Sequence, residues 1–404
     1  MIKGNTVVVA ALVCAFFLYG KLVCVHNTGF MSLVPAKTLC MVKGKLVSSP
    51  EKMSSKAVYS AILCAEQATG TMGNYAVHSS AKGFLQVTIP SSLIDFYSGV
   101  CFEQGETLCL KGNWSEQRNC FQVSSLESCQ GYASNLVGTL YRVRARCRIS
   151  FKRLVSAWND AGGLIISLLS GSRVYLNDDV AEAFRNAGLS HILALSGMHL
   201  SFMAALSGGF FAKLFGKKYE AVARLFGILF FVWFAGLSPS LFRAFLFSMV
   251  IAVLQFFKCR VEEDCFLPVL AFVFMMHIVL RPQDVFTLAF MLSYSALLGI
   301  LVCSTAFMRY GTFLFPSSIA HSVSSSVAAF VFTAPISFSV FGAVHPFGIF
   351  ATVIVSPLVS VFLCIAVAGI LFSLMIPFLS PAFSCILNAL YCLILFFVRF
   401  FARG

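Results

Sequence analysis

Apolar residues fall into two regimes along this 404-residue chain. Beyond residue 161 they form long runs broken only by short polar turns, at residues 190–211, 225–237, 241–257, 266–280, 285–303, 318–341, 347–374 and 382–401. Such runs predict helices with little face left for water, and several approach the roughly 20 residues that cross a bilayer. Between residues 27 and 134 the runs are short, rich in β-branched and aromatic residues and separated by turn signals, at 40–48, 57–65, 83–89, 106–114 and 120–126. They predict five strands of a separate soluble β-domain. A small closed barrel and a β-sandwich both suit that count, and the length favours an OB-like barrel. One more apolar run, residues 7–25, lacks a small-residue cleavage site and predicts a retained transmembrane anchor over residues 1–26.

Residues 135–160 follow a third pattern. Arg142, Arg144, Arg146 and Arg148 alternate with apolar residues, but over the longer window Leu140, Val143, Cys147, Phe151, Leu154 and Trp158 recur at steps of three and four. That period predicts an amphipathic helix along a membrane surface, its basic face in water. With Lys152 and Arg153 added and no acidic residue from 137 to 153, the face suits anionic lipid or a phosphate backbone.

Composition turns the apolar runs into a class. Hydrophobic residues make up 59% of the chain and charged ones 11%, with mean hydropathy +0.87. This is far more apolar surface than a soluble core needs, so the fold class is a polytopic α-helical membrane protein with an inserted small all-β domain. The net charge of +13 fits positively charged cytoplasmic loops, anionic headgroups or a polyanion. Seven of the 15 cysteines lie between Cys40 and Cys147, which suggests an oxidising, extracytoplasmic compartment and disulfides, at least one thiol being left over. No spacing suits a metal site, no Walker-type loop is present, and no cofactor is expected.

The polar residues inside the apolar runs are the candidate chemistry. Asn177, Asp178 and Asp179 predict the cap of a short helix ended by Gly188, which feeds residues 188–208, GLSHILALSGMHLSFMAALSG. Taken as one helix, this stretch sets Ser196, His199 and Met203 on one face, with Gly197, Ser201, Ala204 and Gly208 on an adjacent face where another helix can approach closely. Arg243 lies near the start of a later run, either facing a polar interior or reaching back to the interface. Ser293, Ser295 and the serine run 322–326 are possible lining for a wet path; His321 and His345 suit span boundaries. Phe84, Trp114 and Phe121 are candidate platforms for stacking bases, or core.

The run GSRVYLNDDVAEAFRNAGLSHILALSGMHLSF, residues 171–202, resembles the core motif of the ComEC family of bacterial competence proteins. Within it, residues 191–199 match the family's His-Leu-Leu-Ala-Ile-Ser-Gly-Leu-His pattern. GLSPSLFRAFLF at 236–247, LAFMLSYSALLGIL at 288–301 and APISFSVFGAVHPFGIFATVIVSPLV at 334–359 agree with that family in order and spacing. The resemblance implies an extracytoplasmic barrel before an inner-membrane channel (161–404) that passes single-stranded DNA in natural transformation. It marks His191, Ser196, Gly197, His199, Arg243 and Ser293 as family-motif or lining residues. Arg142, Arg144, Arg146, Arg148, Lys152 and Arg153 are then the expected DNA-phosphate contacts. This chain has no HxHxDH signature of the metallo-β-lactamase-like domain of longer relatives, so no catalysis is expected of it. A separate nuclease, a DNA receptor and a cytoplasmic motor ATPase are expected partners. Two rival readings are a small-solute permease, and an intramembrane hydrolase using Ser196 with His199 or His191.

Overall fold

The structure, a computed structural model, describes residues 30–52, 58–72, 75–93, 102–257, 265–314 and 316–402. The expected anchor at 1–26 and Cys101 lie outside the described residues. The described chain divides into two compact units. One holds the strands and the chain up to Arg153, with Ser172–Val174; the other comprises Leu154–Gly171 and Tyr175–Gly404.

In the first unit the strands are β1 (Met31–Ser32), β2 (Leu39–Leu46), β3 (Glu51–Lys52), β4 (Val58–Met72), β5 (Tyr75–Lys82), β6 (Phe84–Pro90), β7 (Thr107–Ser115) and β8 (Cys120–Gly131). The five expected strands correspond to β2, β4, β6, β7 and β8. Their pairings close on themselves: β4 with β2, β2 with β7, β7 with β8, β8 with β6, and β6 back to β4. All are antiparallel except β6 with β8. Alternate residues point into this ring, as a period of two requires. Val42 sits between Ala68 and Leu110, and with Leu63, Val87 and Phe121 it is sealed from solvent. Gly44 sits at a break in the β2–β4 register, where a Cβ would run into the Cys64 carbonyl, so only glycine fits. β4 runs well past its expected end and pairs there with β5.

Helix α1 (Leu136–Ser156) follows the strands, and α2 (Asn159–Ser170) opens the helical unit. Every residue of α2 from Ala161 to Ser170 is buried, as an all-round apolar helix should be. Then come α3 (Asp178–Asn186), α4 (Ser190–Leu193), α5 (Gly197–Phe215), α6 (Glu220–Ala235), α7 (Pro239–Phe256), α8 (Phe266–Leu280), α9 (Leu288–Leu314), α10 (Ser317–Phe341), α11 (Gly348–Met375) and α12 (Ser380–Ala402). Asn177 caps α3 by accepting the Asp179 N–H at 3.0 Å, as its sequence position predicts. Among the described residues, six stretches are long and apolar enough to cross a membrane: Gly197–Phe215, Pro239–Phe256, Leu288–Arg309, Ile319–Phe341, Gly348–Met375 and Pro377–Ala402. Asn388 of α12 pins the entry to α2, donating to the Trp158 carbonyl at 3.1 Å, while the Trp158 indole N–H donates to Ser380 Oγ at 2.9 Å.

Candidate functional site

The helix expected over residues 190–211 is broken. After the single turn of α4, Ala194 and Ser196 are extended, and Ser196 becomes the N-cap of α5. Ser196, His199 and Met203 therefore do not form one helical face. His199 turns back instead: its Nδ1 lies 3.3 Å from the Ser196 backbone N and 3.2 Å from Ser196 Oγ. A backbone N–H only donates, so Nδ1 accepts and the ring carries its proton on Nε2. The imidazole thus does for this cap what Glu or Gln does in a capping box. His199 is 1% exposed, and its Nε2 has no partner among the described residues.

The expected close approach along the glycine face is present at its two ends. A Cβ on Gly197 would come within 3.4 Å of both Ala244 Cβ and Arg243 Nη2, and one on Gly208 would strike Arg224 of α6. Arg243, in the second turn of α7, donates from Nη1 to the Ser293 carbonyl of α9 at 2.8 Å. Its side chain lies between Gly197 and α9, and its Nε is buried without a partner among the described residues. Ser238 and Pro239 start α7 as cap and first residue. From α11, Thr352 Oγ1 lies 3.5 Å from His191 Nε2, and Ser356 donates to Met198 Sδ at 3.4 Å. His191, Ser196, Gly197, His199, Arg243 and Ser293 are therefore gathered where the N-terminal ends of α5, α7, α9 and α11 meet. In the serine run, Ser324 is buried and Ser322 exposed.

Sequence reasoning missed a second polar group at the same end. His277, in the last turn of α8 and fully buried, reaches Asp284 Oδ2 from Nε2 at 3.2 Å and the Tyr294 hydroxyl from Nδ1 at 3.1 Å. Asp284 also pairs with Arg281 at 3.2 Å, and Arg281 donates to the Leu237 carbonyl at 2.6 Å. Phe242 and Phe290 stand edge-on to the imidazole with centroids 4.8 and 4.9 Å away. The available signal was one ionisable residue inside an otherwise wholly apolar helix.

In the β-unit, α1 is turned from the orientation expected: Phe151 of the apolar stripe is buried, but Leu140, Val143 and Cys147 are exposed. Arg144, Arg148 and Lys152, one above another at steps of four, are buried against the barrel. Glu103 forms an ion pair with Arg148 Nε at 3.1 Å and accepts from Lys152 Nζ at 2.5 Å and Ser49 Oγ at 2.7 Å; Arg144 donates to the Gln104 amide oxygen. Burial alone would raise the Glu103 carboxyl, but the charges of Arg148 and Lys152 outweigh it and hold the group at about 2. Burial, with Arg148 beside it, lowers Arg144 to about 10. The basic face in water is therefore corrected to Arg142, Arg146 and Arg153, which are exposed beside Leu136, Val137, Leu140 and Val143. A carboxylate some 45 positions away in sequence decides which face turns inward. Of the aromatic candidates, Phe121 is core, Trp114 packs on the core, and Phe84 is 40% exposed. Cys40, Cys64, Cys109, Cys120, Cys129 and Cys147 are free thiols, so the expected disulfides do not occur among the described residues.

A closed β-domain joined to a bundle of long apolar helices, with ionisable side chains buried at one end, defines a polytopic membrane protein. The chain belongs to the Competence protein family, whose model matches residues 168–404. It is similar to ComE operon protein 3 of Bacillus subtilis (strain 168), 26% identical over 158 residues, which are 38% of this chain and 20% of that protein. It is also similar to an uncharacterized protein of Aquifex aeolicus (strain VF5), 29% identical over 207 residues, 50% of this chain and 46% of that one. The alignments thus span less than half the length of these relatives. No solved structure matches.

Proposed function

We propose that this chain forms the path by which single-stranded DNA crosses the inner membrane in natural transformation. The observation that carries the reading is the Arg243 cluster, set inside a helical unit of the competence family. Each nucleotide of a strand brings a negative charge, so a path through hydrocarbon must be wet, lined by hydroxyls and few cations, and only weakly attractive. Four helix N-termini with their partial positive charge, one guanidinium and Ser196 meet that requirement. Lys213, Lys217, Lys218 and Arg224 lie at the other end of α5 and α6, and Arg309 at the far end of α9. The positive-inside rule then puts those residues in the cytoplasm and the Arg243 cluster toward the outside.

We read the cyclic pairing of β2, β4, β6, β7 and β8 as an OB-type barrel on that outer side. Phe84 of β6, exposed opposite Cys64 of β4, lies on the face such barrels use for bases. Arg142, Arg146 and Arg153 supply phosphate contacts or sit among lipid headgroups. A nuclease, a DNA receptor and a motor ATPase are the partners this reading requires.

The test follows labelled DNA into cells carrying Arg243→Gln. Entry should fall roughly tenfold, the equivalent of losing one charge-assisted contact of about 1.5 kcal/mol. Unchanged entry would remove Arg243 from the path, and normal entry in a deletion strain would sink the transport reading altogether. The hydrolase reading has the 3.2 Å Ser196–His199 contact in its favour. Against it, Nδ1 is already engaged by the Ser196 backbone, and no carboxylate among the described residues orients Nε2.

A further inference from the structure

The bond from Arg243 Nη1 to the Ser293 carbonyl, 2.8 Å long, exists only while the start of α7 stays in register with the second turn of α9. Beside it, Ser240 Oγ donates to the Ala289 carbonyl at a long 3.4 Å. The closer ties between the two helices pass through the end of α8. Phe242, the residue before Arg243, stands edge-on to the His277 ring at 4.8 Å and lies under the Arg281 guanidinium at 5.4 Å. Tyr294, the residue after Ser293, meets His277 Nδ1 at 3.1 Å and the Val273 carbonyl at 3.4 Å. Asp284 joins the two halves, its Oδ2 lying 3.2 Å from His277 Nε2 and 3.2 Å from Arg281 Nη1. Arg281 also donates to the Leu237 carbonyl at 2.6 Å, in the loop that leads into α7.

We propose that His277, Arg281, Asp284 and Tyr294 are positioning residues for Arg243. They clamp the residue before the guanidinium, and the residue after its acceptor, to one buried group at the end of α8. Apolar packing is non-directional, whereas hydrogen bonds to a single imidazole fix both distance and angle. His277, Asp284 and Tyr294 are all buried, so their bonds are formed where water does not compete and the local dielectric is low. The phenol ring of Tyr294 is itself held by Phe274 and Phe290, with centroids 5.0 and 4.6 Å away. On the other side Arg243 Nη2 borders Gly197 at the start of α5, so the clamp sets how the guanidinium is presented to that helix end.

The clamp is read from geometry within the helical unit, and its effect on transport rests on the reading proposed above. Hydrogen exchange of the full-length protein in nanodiscs, without DNA, tests the clamp by itself. In Tyr294→Phe and Asp284→Ala, amides in residues 238–247 and 288–297 should exchange at least about threefold faster while those in residues 380–402 are unchanged. Tyr294→Phe loses one hydroxyl and keeps its ring, so it serves where Asp284→Ala does not fold. Asp284→Asn, which retains an acceptor for His277 Nε2, should recover part of the protection. Unaltered exchange in both segments, or equal acceleration in α12, would overturn the proposal. The consequence is read as entry of labelled DNA in a double-mutant cycle. Tyr294→Phe should lower entry about threefold beside Arg243 and leave it unchanged beside Arg243→Gln, where nothing remains to be positioned. A loss by the same factor in both backgrounds marks a general structural defect and overturns the positioning role. If Arg243→Gln alone leaves entry intact, the transport reading fails, and hydrogen exchange still decides the clamp.

Discussion

Glu103 is where a single residue decides the most. Its folded-state carboxyl, at about 2 against an ordinary 4.5, is held down by Arg148 and Lys152. A depressed acid contributes stability that is present above the unfolded value and lost as pH falls through the folded one. The β-unit should therefore lose roughly 3 kcal/mol between about pH 4.5 and 2. Glu103→Gln should cost roughly 3–5 kcal/mol at neutral pH, by leaving two buried cations without their counter-charge, and should flatten that acid limb. Chemical denaturation against pH measures both; an unaltered acid limb in the variant would assign the loss to other carboxylates. Ser196→Ala keeps the backbone N–H that His199 accepts and removes only the hydroxyl. DNA entry should then decline in part, whereas complete loss would point to a nucleophile. Ser196, His199 and Arg243 were legible because hydroxyl, imidazole and guanidinium groups stand out in apolar runs. His277 stands out equally, but Asp284, in the turn after α8, and Tyr294, one helix on, gain meaning only once folding brings them to it.

Among the elements, α1 shows what periodicity can and cannot tell. The step of three and four located the helix, but each face carried both apolar and basic residues, and only Glu103 on the barrel settles which is covered. The exposed arginines of this helix are Arg142, Arg146 and Arg153, and the transport reading proposed above assigns them to a polyanion. Replacing all three by Gln should reduce the salt slope of oligonucleotide binding by about 2, at roughly 0.7 per phosphate contact on a single strand. Binding isotherms of the full chain in nanodiscs over a salt series test this; an unchanged slope would leave these arginines to lipid. The five ring strands were readable from their turn signals. The far half of β4 and all of β5 were not: Ala68, Thr69 and Gly70 are buried beside β2 but are too small or polar to read as an apolar alternation, and β5 is mostly exposed. The break between α4 and α5 was hidden by an unbroken apolar run, although Ser196, Gly197 and His199 at cap, first and third positions were a sign of a helix start.

For the molecule as a whole, the two units place their charge differently. In the helical unit, lysines gather at one end of α5 and α6 while the buried ionisable groups gather at the other. Cysteines substituted at Lys217 and Gln283 should therefore react with membrane-impermeant maleimide from opposite sides, Gln283 in intact cells and Lys217 only after permeabilisation. The reverse pattern would invert the topology argued above.

The closed ring also bears on the order of synthesis. β2, among the earliest strands to be made, finds its second neighbour only in β7, and the circuit ends with β8 at Gly131. A ring with such distant partners waits on its last member. That member is made before α2 begins the helical unit, so this β-domain can complete itself while the bundle is still on the ribosome.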